Sequence, residues 1–179
     1  MSEAIEQLKA NLPTHPPVDS IKPLEEDYTG LRILAVHAHP DDESSKGAGT
    51  ASAYIARGAR FMVATMTGGE RGDILNEEVD KSPRAHRDLP GLRRSEMAAA
   101  REIMGIEHRW IGFFDSGLPE GDPMPPLPFG SFGTMPLDRA AAPLVRLVRE
   151  YRPHIIITYD EIGGYPHPDH IMTHKVAVE

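Results

Sequence analysis

The 179-residue chain contains no cysteine. Disulfides and thiolate metal sites are therefore excluded, and any transition-metal site must be built from His, Asp or Glu. The absence fits a reducing compartment, and a cytoplasmic location is the expectation. Basic charge is also short: 19 Lys and Arg stand against 27 Asp and Glu, for a formal charge of −8. Nucleic-acid binding needs a basic surface, so no nucleic-acid partner is expected. A small neutral or anionic substrate remains compatible with that charge. No apolar run approaches the ~20 residues of a membrane span, and the opening MSEAIEQLKANLP lacks the apolar core of a signal peptide. No membrane partner is expected, and no internal repeat is visible. What is present is a globular composition, 40% hydrophobic and 26% charged, long enough for one domain with a real core.

Residues 1–29 read as an N-terminal extension: a short helical piece near Glu3 to Ala10, then an extended arm containing Pro13, Pro16, Pro17 and Pro23. From residue 30 to 179 the pattern alternates. Strands are expected over Leu31–Val36, Arg60–Met66, His108–Phe113 and His154–Tyr159. Helices are expected over Ser45–Arg57, Gly91–Met104 and Leu137–Tyr151, with a fourth beginning at His170. Gly58 and Gly105 are the expected helix stops, Pro153 bars continuation of the third helix, and Leu92, Met97 and Ile103 are the expected apolar anchors of the second. Such alternation predicts an α/β, Rossmann-like fold, a mostly parallel sheet with helices on both faces. Two long loops, Thr67–Pro90 and Phe114–Pro136, follow strands and should overhang one rim. The chain stops barely into its fourth helix, which implies further sequence beyond Glu179.

Chemistry concentrates in two clusters. Ala38-His39-Pro40-Asp41-Asp42-Glu43 follows the first strand, and His167-Pro168-Asp169-His170 follows the fourth. In an open α/β sheet, ligands gather outside the carboxyl ends of strands. Catalytic zinc takes three protein ligands and leaves a position for water, so the two clusters can converge on one ion. His39, Asp42 and His170 form a suitable set for Zn²⁺; Fe²⁺, Co²⁺ or Mn²⁺ suit the same donors. Spacing leaves His174 as a rival ligand, because His167/His170 and His170/His174 can each share a helix face. Asp42 and Asp169 can equally be helix caps. With a metal present, Asp41 is placed to take the proton of an activated water, and His167 or Tyr165 to face a developing oxyanion. That is metal-assisted hydrolysis of an amide or ester.

The paired motifs, with Val36 to Gly47 and Gly163 to His170 around them, resemble the LmbE/PIG-L-type zinc de-N-acetylases over roughly Leu31 to the end. The resemblance implies zinc on His39, Asp42 and His170, Asp41 as general base, His167 as acid or oxyanion donor, and Tyr165 as a carbonyl-polarising group. It implies an N-acylated glucosamine substrate. Lys46 and Pro166 lean toward the branch that cleaves the amide bond of mycothiol S-conjugates, giving glucosaminyl-inositol and a mercapturic acid in detoxification. The sister branch deacetylates N-acetylglucosaminyl-inositol. The implied partner is thus a small thiol-conjugate or N-acyl glucosaminyl-inositol. A reading of a different class is a non-catalytic sugar- or nucleotide-binding module on the same fold.

Other residues carry weaker signals. The loop Thr67-Gly68-Gly69-Glu70-Arg71-Gly72-Asp73 can approach a sugar, with Arg71 on a hydroxyl. Asp115 is either a sugar ligand or a turn former. Glu43 is expected to orient its neighbours, Arg93, Arg94, Glu96, Arg101 and Glu102 to form a solvated helix face, and Trp110 and Phe113 to lie in the core. His37 shares a strand side with His39 but is not expected to ligate. Gly47-Ala48-Gly49-Thr50 sits too far past its strand, and lacks the third glycine, to be a dinucleotide fingerprint.

Overall fold

The structure, a computed structural model, describes residues 26–179; the expected helical piece over Glu3–Ala10 lies outside them. Four parallel strands, β1 (Arg32–His37), β2 (Arg60–Thr67), β3 (Glu107–Phe113) and β4 (Ile155–Ile157), form one sheet in the order β3-β2-β1-β4. The helices are α1 (Asp42–Lys46), α2 (Ala48–Ile55), α3 (Glu77–Asp80), α4 (Pro83–Arg87), α5 (Leu89–Met104), α6 (Leu137–Tyr151) and α7 (Pro168–Val178), with a 3₁₀ turn at Phe132–Thr134. This is the Rossmann-like α/β arrangement expected from the alternation.

Alternate residues of the central strands feed two cores. Leu34 and Val36 of β1 join Met62, Ala64 and Met66 of β2 under α6 and α7. Ile33 and Ala35 join Phe61 and Val63 under α2, with Met104 of α5 packed alongside. Helix α6 buries Ala140, Ala141, Leu144, Leu147 and Tyr151, the three- and four-residue spacing of one apolar face.

Several boundaries differ from expectation for physical reasons. The helix expected over Ser45–Arg57 starts earlier, at Asp42, and is interrupted at Gly47, whose φ of −139° leaves the helical region. Met97 anchors α5, but Ile103 is 86% exposed. At 3.6 residues per turn, Ile103 lies about 240° around the helix from Met97, whereas Met104 returns to its face. Gly105 ends α5 with φ 69°, a conformation in which a Cβ is strained. The long loop after β2 holds the short helices α3 and α4; neither is long enough to show a period in the sequence. Phe113 stacks on Phe132 at 4.9 Å against the α6 core, while Trp110 is only half-buried, packed edge-on to His108. Among the described residues no helix is long and apolar enough to cross a membrane.

Strands β1 and β4 are neighbours in space but distant in sequence. The crevice between their carboxyl ends is the topological switch point at which open α/β sheets bind ligands. The first cluster leaves β1 there, and the second approaches from the β4 side.

Candidate functional site

Three ligand atoms meet at this crevice. His39 Nδ1 lies 3.3 Å from His170 Nε2, and Asp42 Oδ2 lies 3.7 Å from each. The protons on both imidazoles are directed elsewhere. His170 Nδ1 donates to the carbonyl of Gly163 at 2.9 Å, leaving a lone pair on Nε2. His39 Nε2 donates to Asp169 Oδ2 at 3.2 Å, leaving a lone pair on Nδ1. Two lone pairs and a carboxylate oxygen therefore converge with no hydrogen between them, an arrangement that repels itself unless a cation sits among them. Tetrahedral coordination at ~2.0–2.1 Å separates ligand atoms by about 3.4 Å, close to the observed triangle. The donor set thus fits a divalent ion. Two other groups of three, His39 with His167 and His170, and His39 with Asp115 and Asp169, also bring ligand atoms within 4.8 Å of one another. In the second of these His39 offers the nitrogen that the Asp169 bond has already protonated.

The local chain geometry explains why these side chains are held so firmly. Gly163 has φ 80°, and a Cβ there would come within 2.7 Å of the His170 side chain; only glycine lets its carbonyl reach the imidazole. Asp169 is fully buried and accepts from the Ser116 backbone N–H at 2.9 Å and from Ser116 Oγ at 2.5 Å as well as from His39. It is therefore a histidine-orienting group and not the cap of α7; that cap is His167, whose Nδ1 accepts from Asp169 N at 3.1 Å. Asp41 occupies the left-handed region at φ 112°, a strain of ~1–3 kcal/mol for a non-glycine residue. The buried Glu43 holds it there by accepting from Asp41 N at 2.9 Å.

Electrostatics follow from this packing. Burial alone pushes Asp42 upward, but Lys46, the Tyr159 hydroxyl at 2.5 Å, His39 and the His39 N–H outweigh it and hold the carboxylate at about 2. Burial also works to lower His39, yet Asp169, Asp115 and Asp42 override it and raise the imidazole above its ordinary range. A buried imidazole that attracts a proton this way marks a pocket favourable to positive charge. His167 is lowered to about 4, first by burial and then by His39. Its Nδ1 accepts a backbone N–H, so the neutral ring carries its proton on Nε2 and can donate from there.

A cavity of about 290 Å³ opens onto this cluster. His39, Asp41, Asp42, Lys46, Arg71, Asp115, Tyr165 and His167 all line it, so eight of the nine residues singled out from the sequence share one space; the ninth, His170, lies buried behind it. Tyr165 packs edge-on to His170 at 4.7 Å. Asp115 spends its oxygens on the backbone N–H groups of Arg71 and Gly117, at 3.1 and 2.7 Å, tying two rim loops together. His174 turns away, with Nδ1 on the Tyr159 carbonyl at 2.8 Å.

Two participants were not expected. Arg93, placed by its sequence context on a solvated helix face, is half-buried and lines the cavity; its Nη1 donates to Asp41 Oδ2 at 2.5 Å and to the Pro40 carbonyl at 3.1 Å. Tyr159 stacks on His170 at 4.3 Å and bonds Asp42. Its signal was its position at the end of the strand beside β1.

Residues 34–179 match the family model described as GlcNAc-PI de-N-acetylase, PIG-L. A mycothiol S-conjugate amidase of Streptomyces coelicolor is 57% identical over 148 residues, covering 83% of this chain and 50% of that protein. A 1D-myo-inositol 2-acetamido-2-deoxy-alpha-D-glucopyranoside deacetylase of Geodermatophilus obscurus is 43% identical over 153 residues, covering 82% and 51%. The chain thus spans about half the length of the curated relatives it matches. Among solved structures, the N,N'-diacetylchitobiose deacetylase of Pyrococcus horikoshii superposes with a TM-score of 0.62 at 21% identity, over 82% of this chain and 48% of that one. A 4-carboxy-2-hydroxymuconate hydratase of Pseudomonas putida does so at 0.61 and 21%, over 83% and 54%. One architecture therefore carries different reactions, and function has to be argued from the site. On the extent of the family match and the identity to its amidase and deacetylase relatives, the chain belongs to the PIG-L (LmbE-like) de-N-acetylase family.

Proposed function

We propose that this chain carries the reaction centre of a zinc-dependent amidase acting on mycothiol S-conjugates, with His39, Asp42 and His170 as the metal ligands. The convergence of His39 Nδ1, Asp42 Oδ2 and His170 Nε2 within 3.7 Å is the observation that supports it most. The identity of 57% to an amidase of that name, against 43% to a deacetylase, favours the amidase over the acetyl-removing reading.

When bound, the metal polarises the scissile carbonyl and lowers the pKa of a water to about 7. The protein's own groups supply the rest. Asp41, 61% exposed at its side chain and lining the cavity, accepts a proton from the attacking water on a carboxylate oxygen. Arg93 fixes that carboxylate, and Glu43 fixes the backbone behind it. His167 Nε2–H and the Tyr165 hydroxyl donate to the oxygen of the tetrahedral carbon as its charge develops. As the C–N bond breaks, Asp41 returns its proton to the leaving amine, releasing glucosaminyl-inositol and an N-acylcysteine thioether. Lys46 and Arg71 on the cavity wall face the hydroxyl-rich half of the substrate.

The test is the Asp41→Asn variant with a mycothiol S-conjugate as substrate. Loss of general-base catalysis lowers kcat by about 10²–10⁴-fold, while zinc content stays at the wild-type level. Full activity in the variant would remove Asp41 from the reaction, and faster wild-type turnover of the N-acetyl precursor than of the conjugate would favour the deacetylase.

A further inference from the structure

A separate chamber of about 150 Å³ lies beneath α2, in the core on that face of the sheet. Of the residues around it, only Lys46 also lines the reaction cavity. Its surface is mostly apolar, supplied by Ala35, Ala51, Phe61, Val63, Met104 and Ile157. The buried polar side chains in its wall are largely committed elsewhere. The Tyr159 hydroxyl donates to Asp42 and accepts from the Ala38 N–H at 2.9 Å. Glu43 accepts from the Asp41 N–H at 2.9 Å and from Ser44 Oγ at 2.6 Å. Thr158 Oγ1 donates to the Val36 carbonyl at 3.4 Å, and Lys46 donates to Asp42. His37 is the exception. It lines the chamber and is 6% exposed, yet its Nδ1 has no hydrogen-bond partner among the described residues. A buried nitrogen left in that state costs about 1–3 kcal/mol.

Apolar cavities of about 150 Å³ stay dry and bind benzene, so the space suits one six-membered ring. A lone water is a poor occupant, because a buried water needs about three polar partners and the buried polar groups beside His37 are already paired. Charge is disfavoured in either sign. Glu43 and Lys46 both border the space, so an anion or a cation would meet a like charge while losing its hydration. A hydroxyl both donates and accepts, and so completes His37 in either tautomer. We infer that this chamber is a second small-molecule site, taking an uncharged, ring-sized apolar molecule with one hydroxyl, of the phenol class. The ring rests on Phe61, Val63 and Ile157, and the hydroxyl bonds His37 Nδ1. The site is distinct from the reaction cavity and takes no part in the hydrolysis.

Calorimetric titration of the zinc-loaded protein with phenol, benzene and benzoate tests this. The wild type should show one saturable phenol site. Thr50→Trp places a bulky side chain at an exposed position of α2 on the chamber wall and should abolish that binding, while any benzoate held at the metal persists. His37→Phe keeps a ring but removes the hydrogen-bonding nitrogen, and should lower the phenol-to-benzene affinity ratio about tenfold. Because Thr50 is exposed, its variant keeps the fold and decides the matter even where His37→Phe does not fold. The inference is overturned by the absence of a saturable phenol site, or by phenol affinity equal in wild type and Thr50→Trp. It is overturned equally by benzoate binding that Thr50→Trp abolishes along with that of phenol, or by an unchanged phenol-to-benzene ratio in a folded His37→Phe. None of these outcomes bears on the amide-hydrolase reading.

Discussion

At the scale of single residues, the site depends on where protons are parked. Asp169 takes the Nε2 proton of His39 and Gly163 takes the Nδ1 proton of His170, which turns both lone pairs inward. Groups that fix a ligand's tautomer are worth about 10–100-fold in metal affinity. Asp169→Asn should weaken zinc binding by that factor, read by competition with a chromophoric chelator; unchanged affinity would mean that Asp169 does not control His39. The residue types of this network were legible in the sequence, but several partners were not. His39, Asp42 and His170 stand in two compact motifs, so their meeting follows once β1 and β4 are neighbours. Arg93 sits among other charged residues on a helix and carries no local mark of its bond to Asp41. Tyr159 reads as the last residue of a strand. Its contact with Asp42 spans 117 residues, a separation that no local pattern encodes.

At the scale of elements, long periodic segments were readable and short ones were not. Helix α6 falls on its expected bounds, Leu137–Tyr151, because fifteen residues display a full apolar stripe between Pro136 and Pro153. Helices α3 and α4 span four and five residues and depend on capping by Asn76 and on Pro83 more than on any stripe. Strand β4 shrinks to Ile155–Ile157 because only those residues stand in ladder register with β1, opposite Ile33, Leu34 and Ala35. The same distinction predicts stability. Leu144, 2% exposed under the sheet, should cost about 2–5 kcal/mol on substitution by alanine. Ile103→Ala, at a site 86% exposed, should stay within about 0.5 kcal/mol of wild type. Urea unfolding checks both; comparable losses would mean that the face of α5 has been misassigned.

At the scale of the whole molecule, the ionisable groups give the metal-free protein a defined acid sensitivity. His37, His108 and His167 are each held at about 4, below the ordinary 6.5, with burial the leading cause. Between those values the unfolded chain binds protons that the folded chain refuses, so stability falls as pH drops through that window. His39 acts in the opposite sense, because its raised value favours the protonated folded state below 6.5, but it is one group against four, since burial lowers His170 as well. Asp42, at about 2, contributes stability present above the unfolded value near 3.8 and lost as pH falls toward 2. The urea midpoint of the metal-free protein should therefore decline between pH 7 and pH 4. A flat or rising midpoint would contradict these assignments.

The central claim is that His39, Asp42 and His170 together hold one divalent ion. Its most direct test is equilibrium dialysis against zinc followed by elemental analysis, on the wild type and on a His39→Ala, Asp42→Ala, His170→Ala triple variant shown by circular dichroism to be folded. The account predicts one tightly held zinc per chain in the wild type and none in the variant. Equal zinc in both, or none in either, would contradict it.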